Sequence, residues 1–380
     1  MTDPLPTAPP RPDASRGASP YLYGREADAV AAVLASGHYG HTEVTERFER
    51  AVADFLPADD VIAVASGTAA LHLAVEAAGI GDGHEVVVPS MTFVATVQAV
   101  IAAGARPRFA DIDPATLCVR PGDVLEALTP NTRAVIPVAY GGRAVDLSPI
   151  MGDLASRGIE VIEDAAQAFG SRRGNTRVGA DPAVTTCFSF GPIKAMTCGQ
   201  GGAIIPRTRE QATAARNLRM LGIAETAAQR AASTTYRVTG PGYRAQMPAM
   251  NAAIGLVQLK SFSTTESNRK RLWSLYRDAL ADVEPVTLIY VDVDRSVPSM
   301  CVVRVPDRDA VFHRLREQGI AVGVHYPPNH LQPAFAEWHR PLPATEKVAA
   351  EILTLPFHQH LTAGEIERVA GLLAKAVTDQ

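Results

Sequence analysis

Lys194 stands in the stretch CFSFGPIKAMTCGQGGAI, residues 187–204, among aromatic, small and apolar residues with glycines close behind it. The chain otherwise avoids lysine. Of its 36 Lys plus Arg residues five are lysines, at 194, 260, 270, 347 and 375, so Lys194 is the sole lysine in the first 259 positions. Arginine carries the surface charge. A guanidinium stays protonated in proteins, whereas a partly desolvated lysine can give up its proton and become a nucleophilic amine. One more solvated cation is the plain alternative, but a lone lysine in apolar surroundings points to a position that needs an amine.

Other strand-end motifs supply partners for such an amine. In ASGTAALHL, Ser66, Gly67 and Thr68 stand where a strand meets a helix N-terminus, whose free N–H groups and dipole attract a phosphate; an ordinary N-cap would look the same. In EVIEDAAQAFG, Glu163 and Asp164 are adjacent, so their side chains leave opposite faces of a strand. Asp164 is followed by small residues that leave room for a flat ligand, and its carboxylate could face a cation such as a pyridinium nitrogen or simply water. Phe93, in PSMTFVAT, is a ring that can stack on a planar cofactor or fill core, and the Ser189 hydroxyl lies five residues before Lys194. Together these are a phosphate cradle, a stacking ring, a carboxylate for a ring nitrogen and an amine. That is the inventory for holding pyridoxal 5′-phosphate (PLP) as a Schiff base, with the lysine acting as a base once a substrate amine displaces it.

Residues with these roles must sit at the carboxyl ends of strands in an open α/β sheet, where strand-to-helix loops converge. The pattern from residue 61 onward provides such a sheet. Short apolar runs read as buried strands: VIAVA (61–65), EVVVP (85–89), RPRFADI (106–112), RAVIPVAY (133–140), EVIEDA (160–165), TTCFSF (185–190) and GGAIIP (201–206). Amphipathic segments between them read as helices, including 69–79, 92–104 and 208–221, which predicts a mostly parallel seven-stranded sheet between two helical layers. Near residue 245 the organisation changes to long helices in PAMNAAIGLVQLKSF and ESNRKRLWSLYRDAL. A compact α/β segment follows, with strands MCVVRV and IAVGVHY and helices around 308–318, 344–354 and 363–377. The division expected is a loose Pro-rich arm over 1–20, a large domain over 21–250, and a linker helix with a small C-terminal α/β domain over 251–380. The segment 222–245 has no periodicity and reads as a loop.

Composition narrows the class. The chain has 380 residues, 47% of them hydrophobic and 20% charged, enough for a large core. A net charge of −4 offers no basic footprint for nucleic acid. No apolar run reaches membrane-spanning length, and residues 1–20 lack the apolar core of a signal peptide, so a cytoplasmic protein is expected. Cys118, Cys187, Cys198 and Cys301 are scattered, with neither disulfide nor metal-site spacing.

The motifs resemble those of the DegT/StrS family of fold-type-I aminotransferases. ASGTAALHLAVEAAGIGDGHEVVVPSMTFVAT, FADIDPATLCVRP, VIEDAAQAFGS, FSFGPIKAMTCGQGGAI, GYRAQMPAMNAAIGLVQL, GIAVGVHYPPNH and LTLPFHQHLT carry the likeness over about residues 24–378. The resemblance implies a PLP-dependent enzyme, cycling between PLP and pyridoxamine phosphate, with Lys194 bonded to the cofactor and Asp164 paired with the pyridine nitrogen. It puts Gln167 near the phenolic oxygen, Phe93 on the ring, and Gly67, Thr68 and Ser189 at the phosphate. It also implies a homodimer with shared active sites, in which GYRAQM reaches the partner's site, and a substrate-side pair at His325 and Tyr326. Four positions depart from the family pattern: Ala139 and Gly191 where histidine is common, Gln200 where an acidic residue is common, and Arg244 where an asparagine meets the phosphate from the other subunit, a role Arg244 can take with its charge.

The activity expected from this resemblance is transfer of an amino group from an amino acid, glutamate, to a keto sugar on a nucleotide, in amino-sugar, polysaccharide or antibiotic biosynthesis. A keto-cyclitol or other non-nucleotide ketone is the alternative acceptor. A non-catalytic regulatory relative is disfavoured by the intact Lys194, Asp164 and Gln167.

Overall fold

A computed structural model describes residues 11–378. Two helices, α1 (Glu26–Ser36) and α2 (Glu43–Phe55), precede the sheet. The sheet domain then alternates strand and helix: β1 (Ile62–Val64), α3 (Gly67–Ala77), β2 (Glu85–Pro89), α4 (Val94–Ala102), β3 (Arg106–Ala110), α5 (Pro121–Ala127), β4 (Thr132–Val135), α6 (Met151–Ser156) and β5 (Glu160–Asp164). A small hairpin of β6 (Arg172–Arg173) and β7 (Thr176–Arg177) leads to β8 (Thr185–Ser189), β9 (Gly202–Ile205), α7 (Arg209–Arg219) and α8 (Ala227–Ala231).

The seven strands run in the order β1-β9-β8-β5-β4-β2-β3. β3, β2, β4, β5 and β8 are parallel neighbours, and β9 is antiparallel to both β8 and β1. This is the mostly parallel sheet the apolar runs predict. Alternation of side chains sends Val86, Val88 and Ile162 into one buried layer with Leu71 and Leu73 of α3, while Val87, Val135 and Val161 enter another with Leu154 of α6. A third layer joins Phe48 and Val52 of α2 to Ala63, Phe188, Phe190 and Ala203. Polar residues occur mainly at strand ends, which is why the chemistry gathers there.

Local signals fix the helix starts nearest the site. Ser66 caps α3 by accepting from Ala69 N–H, Thr208 caps α7 by accepting from Gln211 N–H, and Gly79, just past α3, takes a left-handed φ of 72°.

The chain continues with α9 (Ala249–Lys260), whose Ala249 and Ala253 pack on Val33 of α1, and the 18-residue α10 (Phe262–Ala279), followed by β10 (Thr287–Leu288), β11 (Cys301–Arg304), α11 (Arg308–Glu317), α12 (Pro343–Glu351), β12 (Ile352–Leu355) and α13 (Ala363–Thr378). A three-stranded sheet has the order β10-β11-β12. Leu272, Trp273 and Tyr276 of α10 pack against Val303, Leu353, Leu355 and the Ile366, Val369 and Leu373 face of α13.

Two local expectations change. IAVGVHY forms no strand: it lies at the outer edge of β12 but pairs there through one bridge alone, Gly323 to Thr354. β12 lies in residues 352–355, of which 352–354 were expected to close a helix; that helix stops at Glu351. Residues 1–10 of the N-terminal arm lie outside the described residues. Residues 11–20 lie along the C-terminal segment, where Ala14 is buried, Ala321 N–H donates to Ala14 O and Phe357 N–H donates to Gly17 O. Arg11 pairs with Glu365 at 3.0 Å. No described helix is long and apolar enough to cross a membrane.

Candidate active site

Asp164 ends β5, in register with Cys187 of β8, and its backbone is fixed on the other side by Ala139 N–H donating to Asp164 O at 3.0 Å. Its carboxylate is buried. Oδ1 accepts from Ala166 N–H at 3.0 Å, and Oδ2 accepts from Thr96 Oγ1 at 2.7 Å. Burial pushes this carboxyl above the ordinary aspartate value, against the pull of those hydrogen bonds and of the Lys194 charge. Such a group gains by meeting a cationic ring nitrogen. The neighbouring Glu163 leaves the other face, as adjacency requires, and pairs with Arg173 at 2.6 Å. It therefore has a structural partner.

Lys194 lies in the loop between β8 and β9, a loop folded back by Cys198 N–H donating to Phe190 O and by Asn251 Nδ2 donating to Cys198 O. Desolvation lowers the amine below the usual lysine value, Asp164 opposes that shift, and the positive charge of Arg269 adds to it. The sequence-based argument for an amine that can deprotonate thus has its physical counterpart.

A cavity of about 340 Å³ brings together Lys194, Gln167, His325 and Tyr326. Gln167 is held by its acceptor end: Oε1 takes Gly141 N–H at 2.9 Å and the Ser299 hydroxyl at 3.2 Å, leaving Nε2 to point at Tyr326 Oη, 3.4 Å away. His325 Nδ1 lies 3.0 Å from Thr354 Oγ1, and its carbonyl accepts from the Tyr140 hydroxyl. Burial and then the Lys194 charge hold His325 below the usual histidine value, so it is neutral at pH 7, while burial raises the Tyr326 phenol.

The phosphate end of the site is most constrained at Gly67. A Cβ built there would lie 2.6 Å from Ser189 Cβ and 3.0 Å from Ser189 Oγ, so glycine lets the α3 N-terminus sit directly against the serine. Gly202 is equally constrained from behind, since its Cβ would meet Ser66 O at 2.4 Å. The first-turn N–H groups of Gly67 and Thr68 have no intrahelical acceptor by helix geometry, and beside the Ser189 hydroxyl they form a small-residue anion cradle. Phe93, the residue before α4, is 55% exposed, with its ring tilted against Tyr326 at 5.8 Å. An exposed ring next to a buried carboxylate, a desolvated amine and a cradle fits a flat, phosphorylated, cationic-nitrogen cofactor such as PLP.

Gly191 connects these parts. Its Cβ would lie 3.3 Å from Gln200 Oε1, 3.6 Å from Ser189 Oγ and 4.0 Å from Lys194 Cγ. Arg244 is not in the Lys194 cavity. It lines a second cavity of about 350 Å³ with Tyr39, Ala65, Gln200 and Gln246. Sequence reasoning missed Thr96, Ser299, Gly141 and Thr354, which orient Asp164, Gln167 and His325. Thr96, one helical turn after Phe93 in PSMTFVAT, and Thr354, in LTLPFHQHLT, lie within quoted motifs, whereas Ser299 and Gly141 do not.

The model of the DegT/DnrJ/EryC1/StrS aminotransferase family matches residues 20–374. Among solved structures, the chain is similar to TlmJ, an aminotransferase of Streptoalloteichus hindustanus: 34% identity, TM-score 0.88, covering 95% of this chain and 98% of that one. It is also similar to CalS13, a sugar aminotransferase of Micromonospora echinospora: 29% identity, TM-score 0.88, covering 95% and 99%. With the PMP form of Spr1654 from Streptococcus pneumoniae it shares the fold, at 24% identity and TM-score 0.90 over 95% and 98% of the two chains.

Proposed function

The chain belongs to the DegT/DnrJ/EryC1/StrS aminotransferase family, and from that premise we propose that it moves an amino group from glutamate to a nucleotide-linked keto sugar in amino-sugar or antibiotic biosynthesis. It is a PLP-dependent aminotransferase. The observation that carries the reading is the convergence of a desolvated Lys194, a buried Asp164 and the Gly67–Ser189 cradle at one end of the sheet. PLP, when bound, supplies a ring that withdraws electrons from the substrate carbon.

The chain's own residues would act around it as follows. Backbone N–H of Gly67 and Thr68 and the Ser189 hydroxyl hold the phosphate, and Phe93 covers one face of the ring. Asp164 keeps a proton on the ring nitrogen, because a buried carboxylate is stabilised by that cation. Gln167, with Oε1 already committed to Gly141 and Ser299, offers Nε2 as a donor to the phenolic oxygen. Lys194 Nζ would hold the cofactor, and its lowered pKa would suit it to serve as the base that moves a proton at the substrate carbon. Met300, Val322, Leu355 and Phe357 give the cavity an apolar lining, and His325 and Tyr326 would face the substrate.

We take a homodimer as the working unit, with Arg244 of each copy serving the phosphate end of the other site. Its place in a cavity apart from Lys194 is consistent with this. The four cysteines are buried free thiols, which suits a reducing cytoplasm.

Purified protein loaded with PLP is expected to absorb near the visible edge and, with glutamate, to aminate keto-sugar nucleotides. Amination of keto-cyclitols alone would overturn the nucleotide assignment. Absence of any amine transfer would overturn the activity, and a monomer by light scattering would overturn the shared site.

A further inference from the structure

One wall of the Lys194 cavity belongs to no helix or strand: Gly17 and Ala18 line it beside Ala321, Val322 and Phe357. These two residues are the middle of a segment pinned at both ends. Upstream, Ala14 is 1% exposed in the core between α10 and α13, Ala321 N–H donates to Ala14 O at 2.9 Å, and His358 Nε2 donates to Asp13 O at 3.0 Å. Downstream, His360 Nε2 donates to Pro20 O at 3.0 Å, Gln258 Nε2 donates to Tyr21 O at 2.9 Å, and Tyr23 Oη lies 2.6 Å from Thr265 Oγ1. Between these anchors residues 15–18 are exposed, and Phe357 N–H donates to Gly17 O at 2.8 Å, which holds the segment against the cavity.

Packing does not demand small residues in the middle of this strap. A Cβ built on Gly17 meets Ala321 O at 3.5 Å, an ordinary contact, and Gly17 is not one of the glycines with positive φ. At Gly67, by contrast, the same construction meets Ser189 Cβ at 2.6 Å. Ala18 is exposed, so a longer side chain there displaces no core. What a longer side chain at either position would occupy is cavity.

We propose that residues 15–19 form a size-limiting strap: they set the bulk of the group that can stand beside Lys194, and hence which acceptor the enzyme takes. This rests on the PLP-dependent aminotransferase reading of the cavity, whatever the ketone is. The donor and the acceptor use the same lysine in turn, so a wall that both must pass discriminates against the larger of the two. A compact amino acid passes where a ring with substituents is tested against Gly17 and Ala18.

The test uses PLP-loaded enzyme as wild type, as Ala18→Phe, which narrows the cavity, and with residues 2–18 deleted, which opens it. Hydroxylamine and O-benzylhydroxylamine are the probes. Each takes the cofactor from Lys194 as an oxime: its nitrogen bonds the cofactor carbon, the lysine leaves as a free amine, and the loss of absorbance near the visible edge reports the rate. The ratio of the hydroxylamine rate to the O-benzylhydroxylamine rate is expected to rise by about tenfold in Ala18→Phe, the lower end of an overpacking cost, and to fall in the deletion. In the half-reactions, Ala18→Phe should raise the half-saturation of the ketone more than that of glutamate. Ala18→Phe, at an exposed position, should melt with the wild type, so it decides the matter even where the deletion does not fold. An unchanged ratio in Ala18→Phe would overturn the proposal and leave the strap a cover for the core. A ratio that moves the same way in both variants would overturn it too, since distortion of the site rather than size would then be at work. Oxime formation needs no ketone, so opposite shifts in an enzyme that aminates no acceptor would sink the activity and keep the strap.

Discussion

Thr96 Oγ1 donates a 2.7 Å hydrogen bond to Asp164 Oδ2, joining the first turn of α4 to the end of β5 across 68 positions. Since Oδ1 is occupied by Ala166 N–H, Thr96 decides how Oδ2 is held. The residue that orients the key carboxylate therefore comes from the element that also presents Phe93.

Thr96→Val removes one of the interactions that oppose burial at Asp164, so the carboxyl value rises further. Turnover is expected to fall by about tenfold, the worth of one charged hydrogen bond, and the acid limb of the pH–rate profile should move to higher pH. A variant with the wild-type acid limb would show that Thr96 does not tune Asp164.

Asp164→Asn should separate stability from function. The folded-state value of Asp164 lies above the free-aspartate 3.8, so the folded chain holds this proton more tightly than the unfolded chain does. Its contribution to stability consequently falls as pH rises from about 3.8 through the folded value. Asparagine can accept from Ala166 N–H with its oxygen and donate from its amide to Thr96 Oγ1, whose own hydroxyl can then turn to Thr92 Oγ1, so the cofactor-free variant at pH 7 is expected to be more stable by about 1–3 kcal/mol and to lose that slope, as chemical denaturation across pH would record, while transfer activity collapses.

Gly67→Ala places a methyl 2.6 Å from Ser189 Cβ. The close packing of backbone against backbone there leaves little room to yield, so the variant should lose about 1–3 kcal/mol of stability and bind PLP more weakly. Adding Ser189→Gly removes the atoms that clash and should restore part of the stability without restoring cofactor affinity, because the hydroxyl is gone too. Melting curves with and without PLP distinguish the two effects.

Lys194→Arg keeps a cation but cannot present a neutral amine. The expected variant folds, shows no absorbance near the visible edge with PLP, and transfers no amino group. Retained absorbance would place the attachment elsewhere.

Much of the site was legible because strand-end residues are marked by local pattern. Lys194, Asp164, Gln167 and Ser189 each follow or end a strand that an apolar run announces. The contacts that orient them were not legible. Ser299 reaches Gln167 across 132 positions, and Thr354 sits in a strand whose Ile-Leu-Thr-Leu run continues an amphipathic helix pattern without a turn signal. The same ambiguity explains the misplaced strand at 320–326: an apolar, β-branched run reads as a strand wherever it falls, but strand pairing needs successive backbone partners, and this run meets the outer edge of β12 at Gly323 alone. The helices α1 and α2 went unread for another reason. α2 is strongly amphipathic and well capped by Thr42, but it precedes the alternation that organised the reading.

The segment 11–20 completes the cavity wall with Gly17 and Ala18, against residues 321–323 and 354–357. During synthesis the wall therefore has its first piece long before the pieces it rests on. The early residues find these backbone partners only once the C-terminal segment has emerged.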